Sequence, residues 1–243
     1  EEILRQSRDT FRYIMKDLNF GELHVGGHQA QEMSHLFISI QSFNSMRLTE
    51  HTTPDFYDYI VVDEFHHAAA PSYQKLLSYY KPQILLGLTA TPERMDGKDV
   101  FGYFGDTIAA EIRLTDAIDR KLLCPFQYFG VTDHVNLSHV KWTRRGYDLR
   151  ELENVYTGDR IRAMQILNSM RKYVTDMDQV KGLGFCVGVE HALYMAKVFE
   201  EAGIPAIALH GNSGDEERRQ AKVRLTNGEI RVIFVVDLYN EGV

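Results

Sequence analysis

The chain has 243 residues, 44% of them hydrophobic and 25% charged, with a net charge of −7 at neutral pH. That composition is ordinary for a globular protein, and the length suits two domains of about 100–150 residues better than one. The acidic balance argues against a polybasic sheath for nucleic acid, though not against a protein gripping a few phosphates in a local groove; no run of about 18 apolar residues predicts a membrane span.

Residues 1–18 predict a helix, because Ile3, Leu4, Phe11, Ile14, Met15 and Leu18 recur at roughly helical spacing. Leu23–Val25 and Leu36–Ile40 predict short strands, and Tyr59–Val62 a strand made of a continuous apolar run. Ser72–Tyr80 follows Pro71 and predicts a helix. Ile84–Leu88 predicts another buried strand. The pattern then restarts. Phe126–Val131 predicts a strand, Asp133–Tyr156 a polar loop, and Asp159–Val174 a helix. Leu183–Val187, Ala206–Leu209 and Arg231–Val236 predict strands separated by helices at Glu190–Ala202 and Ser213–Leu225, the latter opening on a capping box of Ser213 and Glu216. Continuous apolar strands alternating with helices imply parallel sheets covered on both faces. The expected fold is α/β in two domains, residues 1–118 and 119–243. Cys124 and Cys186 are expected to be buried free thiols, which with no leader-like segment at the start of the chain suits a reducing, cytoplasmic setting.

Polar groups gather where these strands end. Ser39, Gln41 and Ser42 lie at or just beyond the end of the second predicted strand, Asp63, Glu64 and His66 follow the third, and Thr89 and Thr91 the fourth; His210 and then Asp237 and Asn240 follow the last two. Ligands of open α/β sheets bind outside the carboxyl ends of the strands. Adjacent carboxylates at such a place suit a hard cation that keeps its own waters and phosphate ligands, with the second acid free to orient a water. Two solvated acids at a loop would look the same in isolation. His66-His67 is a poor zinc pair, since neighbouring residues at a strand exit are expected to diverge. Arg144-Arg145 with Trp142 and Tyr147 make a basic-aromatic cluster, which fits either a solvated loop or a base-stacking surface.

The longer stretches narrow these alternatives. Val61–Ala68 (VVDEFHHA) resembles motif II of the DExH helicases of superfamily 2, and Thr89–Arg94 (TATPER), which begins 26 positions after Asp63, resembles motif III. In order, Phe37–Phe43 resembles motif Ib, Gly184–Ala192 motif IV, Leu209–Gly211 the small motif ahead of the next helix, and Val235–Val243 the start of motif V. The flavour is that of restriction subunits and repair proteins rather than DEAD-box RNA helicases, whose motif III reads Ser-Ala-Thr. The resemblance implies two incomplete RecA-like domains, each a mostly parallel sheet covered by helices. It further implies an ATP- and Mg2+-dependent helicase or translocase, acting on DNA in preference to RNA and coupling hydrolysis in the interdomain cleft to movement along a strand. Asp63 would hold the magnesium through water with Glu64 nearby, Glu64 would polarise the attacking water, and His66 would link the nucleotide to Thr89 and Thr91. Ser39, Gln41, Ser42, His210, Gly211 and Asn240 would touch nucleic acid, and Glu241 and Gly242 the nucleotide.

Two motifs of that family are missing. No Gly-Lys-Ser/Thr phosphate loop occurs, since Gly97-Lys98 is followed by Asp99 and lacks the preceding glycine, and no arginine-finger motif VI follows motif V. Truncation at both ends of a larger protein is the expectation, with these 243 residues not hydrolysing ATP on their own. The alternative is a nucleic-acid-binding or regulatory module that never binds ATP.

Overall fold

The computed structural model describes residues 2–91, 101–105, 107–143, 146–236 and 238. The chain divides into two compact units, Glu1–Pro125 and Phe126–Val243, a few residues later than the boundary drawn from the sequence.

In the first unit, helix α1 (Glu2–Met15) lies against a parallel pair, β1 (Glu22–His24) and β2 (Leu36–Ile38). Phe11 on α1 meets the rings of Phe20 and Phe37, and the Arg12 guanidinium donates to the carbonyls of Phe20 and Gly21. The predicted strand through Ile40 stops two residues early: Ser39 caps a one-turn-and-a-half helix, α2 (Ile40–Ser45). A second parallel pair joins β3 (Tyr59–Val62) to β4 (Ile84–Gly87), with Tyr59 opposite Ile84 and Val62 opposite Gly87. Between them, α3 (Pro71–Tyr79) starts on a proline, whose fixed φ and missing N–H suit the first helical position. Val62, Phe65 and Ala68 form one core, and Phe43, Leu48 and Tyr80 another; Ile60 and Leu76 pack against both. A short helix, α4 (Leu114–Asp119), lies near the end of the unit.

The second unit is built on a three-stranded parallel sheet in the order β7 (Gly182–Phe185), β9 (Val232–Val235), β8 (Ala206–Leu209). All four residues of the central strand β9 are buried. Val232 and Phe234 face a core shared with α6 (Arg160–Tyr173) and α7 (Val189–Glu201), whereas Ile233 and Val235 face Ala221 of α8 (Asp215–Asn227). This is why the strand reads as an unbroken apolar run: alternate residues serve opposite faces, and both are covered. Gly184 on β7 lies opposite Phe234, and a Cβ there would collide with the Phe234 ring. The α/β architecture with parallel sheets thus agrees with the expectation.

Four expectations need correction. Phe126–Val131 forms no strand: Phe126, Tyr128, Phe129 and Val131 are exposed and no neighbouring chain pairs with them, while Phe129 instead stacks on Tyr173 of α6 at 4.2 Å. The polar stretch 133–156 is not all loop. It holds an antiparallel hairpin, β5 (Trp142–Thr143) with β6 (Gly146–Tyr147), and helix α5 (Leu149–Gly158), capped by Asp148 accepting from the amides of Arg150 and Glu151. Ser213 does not cap α8. Its N-cap is Gly214, and the Ser213 hydroxyl accepts from the His210 amide, folding the preceding turn. Cys124 is exposed and Cys186 only partly covered, so the pair of buried thiols is not found. Among the described residues no helix is long and apolar enough to cross a membrane.

Candidate functional site

The acidic pair sits where β3 ends. Val62 is buried, Asp63 is exposed, and the chain then turns sharply because Glu64 adopts a left-handed conformation, φ 51 and ψ 47. A residue with a Cβ rarely adopts that geometry, and such strain gathers at functional sites. The turn is fixed from several sides. The Glu64 amide donates to Asp63 Oδ1 at 3.0 Å, and the Phe65 amide donates to the Leu88 carbonyl at 2.9 Å. Leu88 in turn donates to the Val62 carbonyl, which ties the exits of β3 and β4 together. Phe65, 1% exposed, is the hydrophobic foot of the turn. It fits because Gly87 has no side chain: a Cβ there would lie 2.6 Å from Phe104 and 2.8 Å from Phe65.

On this turn, His66 Nδ1 lies 3.2 Å from the Glu64 carboxylate and 3.2 Å from the Thr89 hydroxyl. The Thr89 hydroxyl also accepts from the Thr91 amide at 3.1 Å. Glu64, His66, Thr89 and Thr91 therefore form one polar chain across the ends of two paired parallel strands. Hydrogen bonds in such a chain polarise one another. The rings of His66 and His67 do not diverge as expected but face each other at 4.0 Å. No group of three metal-ligating side chains occurs among the described residues.

The remaining candidates are distributed differently. Ser39 Oγ accepts the Ser42 amide at 3.1 Å and donates to the Ser42 hydroxyl at 3.0 Å, so these two hydroxyls already build the turn into α2, while Gln41 is exposed. In the second unit, His210 follows β8. Its Nδ1 accepts the Asn212 amide, and Arg218 of α8 donates to the carbonyls of His210 and Gly211. The His210–Gly211 turn is thus preformed, with Gly211 exposed. Asn240, Glu241 and Gly242 lie outside the described residues, as do Asp237, Pro92–Arg94 and the Gly97-Lys98 pair.

Sequence reasoning missed a second polar cluster at the carboxyl end of β7. Glu153 of α5 accepts the amides of Glu190 at 2.8 Å and His191 at 3.4 Å, which stabilises the positive end of α7. Gly188 leaves room for that carboxylate. His191 is 4% exposed, and its Nδ1 accepts the Val187 amide while Nε2 has no partner. Burial, helped by the nearby Arg162 guanidinium, pushes its pKa down to about 4 against the opposing pull of Glu153. The signal for α5 was available in Asp148 and Glu151, a cap residue followed three positions later by an acid. A hollow of about 840 Å³ on this unit is lined by Gly130, Val131, Thr132 and His134 together with α6, and by none of the candidates above.

Comparison with known proteins fits this geometry. Residues 1–94 match the family described as the res subunit of type III restriction enzymes. The chain is 30% identical over 186 residues to a 51.5 kDa protein of a Lactococcus phage, an alignment covering 75% of this chain and 39% of that one. It is 25% identical over 248 residues to IRC3 of Saccharomyces cerevisiae, provisionally named an ATP-dependent helicase, covering 99% of this chain and 35% of that protein. The chain therefore spans little more than a third of the length of these relatives. Among solved structures, S. cerevisiae Dbp5 bound to RNA and ADP BeF3 shares the fold, with a TM-score of 0.56 at 12% identity over 100% of this chain and 57% of that one. The paired strand exits fit these likenesses: the chain is similar to the restriction-subunit family over residues 1–94 and to a protein named as an ATP-dependent helicase over nearly its whole length, and it shares the fold of Dbp5.

Proposed function

We propose that the chain is the part of an ATP-driven DNA helicase or translocase that activates water and couples hydrolysis to movement. The polar chain from Glu64 through His66 to Thr89 and Thr91 carries this reading. A carboxylate held at a strained turn, with its neighbour free in solvent, suits the geometry needed to polarise a water. Asp63 is exposed, and a magnesium ion that keeps most of its waters asks for only one or two protein carboxylates, so the residues fit it. A bound magnesium–ATP would supply the phosphoryl group and the charge neutralisation that hydrolysis requires. Asp63 would hold the magnesium through water, Glu64 would accept a proton from the attacking water, and His66 would hold Glu64 in register with the threonines. Gln41 and the His210–Gly211 turn are placed at strand exits suited to sugar-phosphate contact, with Ser39 and Ser42 acting chiefly by shaping the turn beside Gln41. Asn240 is a further candidate for that contact, and Glu241 and Gly242 for the nucleotide. The two units would be incomplete RecA-like domains. DNA is favoured over RNA because the matched family is that of restriction subunits.

The lack of a phosphate-loop motif within these 243 residues favours one other reading, a binding module without turnover. Glu64→Gln in the full-length protein separates the two. For the motor, nucleic-acid-stimulated ATP turnover falls about 10²–10⁴-fold while nucleic-acid affinity stays within twofold. Unchanged turnover would reject the role of Glu64, and a full-length protein without turnover would favour the module.

A further inference from the structure

The β5–β6 hairpin is not absorbed by that mechanism. Trp142 is 70% exposed, which leaves most of a large aromatic ring open to a partner. Its ring meets that of Tyr147 edge to face at 4.8 Å, which orients the indole without enclosing it. The platform is stiff. Val140 is buried at its base, the Thr143 hydroxyl donates to the Gly146 carbonyl at 2.7 Å, and the Asp148 amide donates to the Lys141 carbonyl at 2.8 Å. The Lys141 amide is held by Glu151 of α5 at 2.7 Å. Through Glu153, the same helix caps the first turn of α7 at the carboxyl end of β7, the end of this sheet at which His210 also stands. Residues 141–150 contain Lys141, Arg144, Arg145 and Arg150 against the single acid Asp148, in a chain whose net charge is −7; Arg144 and Arg145 lie outside the described residues.

We infer that this hairpin binds an unpaired nucleic-acid strand, with Trp142 as the surface on which a base stacks. The inference rests on the reading of the chain as part of a nucleic-acid motor. A rigid, exposed indole in a locally cationic segment offers the two things a single strand needs, a π-face for any base and charge for its phosphates. Because Tyr147 already orients the indole, little side-chain freedom is lost on binding. An acidic peptide would satisfy the charge but supply no stacking face.

Trp142 is the single tryptophan of the chain, so its fluorescence reports this site alone. The experiment titrates the chain with an end-labelled oligothymidylate and reads label anisotropy and tryptophan emission together. An abasic strand of equal length and polyglutamate serve as comparisons. Emission should be quenched as anisotropy rises, with the abasic strand binding more weakly and quenching little. Trp142→Ala should weaken oligothymidylate binding about 5- to 150-fold, the weight of one stacked base, with Trp142→Phe keeping most of the affinity. The inference is overturned, and the motor reading left standing, if the strand binds with unchanged emission, or if polyglutamate or the abasic strand quenches as strongly as the oligothymidylate. No binding to any strand overturns the inference, and the motor reading is then decided by Glu64→Gln in the full-length protein. Should Trp142→Ala misfold, the abasic comparison on the unaltered chain and Trp142→Phe still decide.

Discussion

Strands β3 and β9 read alike as sequences, YIVV against VIFV, yet they stand in different surroundings. Every residue of β9 is buried, whereas Tyr59 and Val61 on β3 are 60% and 40% exposed and only Val62 is fully covered. The central strand of the second unit is sandwiched between helices. The first unit covers one face of its β3–β4 pair and builds the polar chain at the exit. A continuous apolar run therefore marks a strand that could be covered on both faces, and packing decides whether it is.

The strongest test of this contrast is Phe234→Ala against Val61→Ser. The former should cost about 3–5 kcal/mol in denaturant unfolding of the second unit, since Phe234 packs on Phe199 and over Gly184. The latter should stay within about 0.5 kcal/mol in the first unit. Similar losses at both positions would mean that the two strands are equally buried.

A pH profile sharpens the contrast for the second unit. The folded-state pKa of His191 is depressed below its ordinary value of 6.5, so the stability it contributes is complete above pH 6.5 and is lost as pH falls through about 4. The loss, about 1–3 kcal/mol, should be read by chemical denaturation across that range. Replacing His191 by Gln should flatten this part of the profile; an unaltered slope would place the titrating group elsewhere.

Glycine substitutions give a comparable but more selective effect. Gly87→Ala and Gly184→Ala each force an aromatic ring to move and should cost about 1–3 kcal/mol. At Gly87 the displaced rings are Phe104 and Phe65, and Phe65 is the foot of the turn that carries Glu64 and His66, so ATP turnover of the full-length protein should fall further than stability alone explains. Gly184→Ala should alter stability without a separate loss of turnover. Equal turnover in the two variants would break the link between Phe65 and the acidic turn.

Much of this was legible beforehand. Apolar runs located β3, β4, β7, β8 and β9, although only β9 is buried along its whole length. The grouping of Glu64, His66, Thr89 and Thr91 followed from motif order and strand ends. Phe126–Val131 misled because a strand requires a pairing partner, which no local pattern supplies, and Phe129 found Tyr173 instead. Ser213 had the right chemistry for a cap, but its hydroxyl was claimed by the turn at His210. Helix α5 was overlooked because its sequence is polar, although Asp148 and Glu151 announced its start. The left-handed backbone of Glu64 had no signal at all, since glycine or asparagine would be the ordinary choice there.

That last feature sets a limit on how this protein can change. Glu64→Gly would relieve the left-handed turn, which burdens a residue with a Cβ by about 1–2 kcal/mol, and would remove the acid at the same stroke. Under the proposed function, drift toward greater thermal robustness and retention of turnover therefore pull this position in opposite directions. Descendants released from the need to hydrolyse ATP should be recognisable by a small residue at this one turn, long before the rest of the motif has decayed.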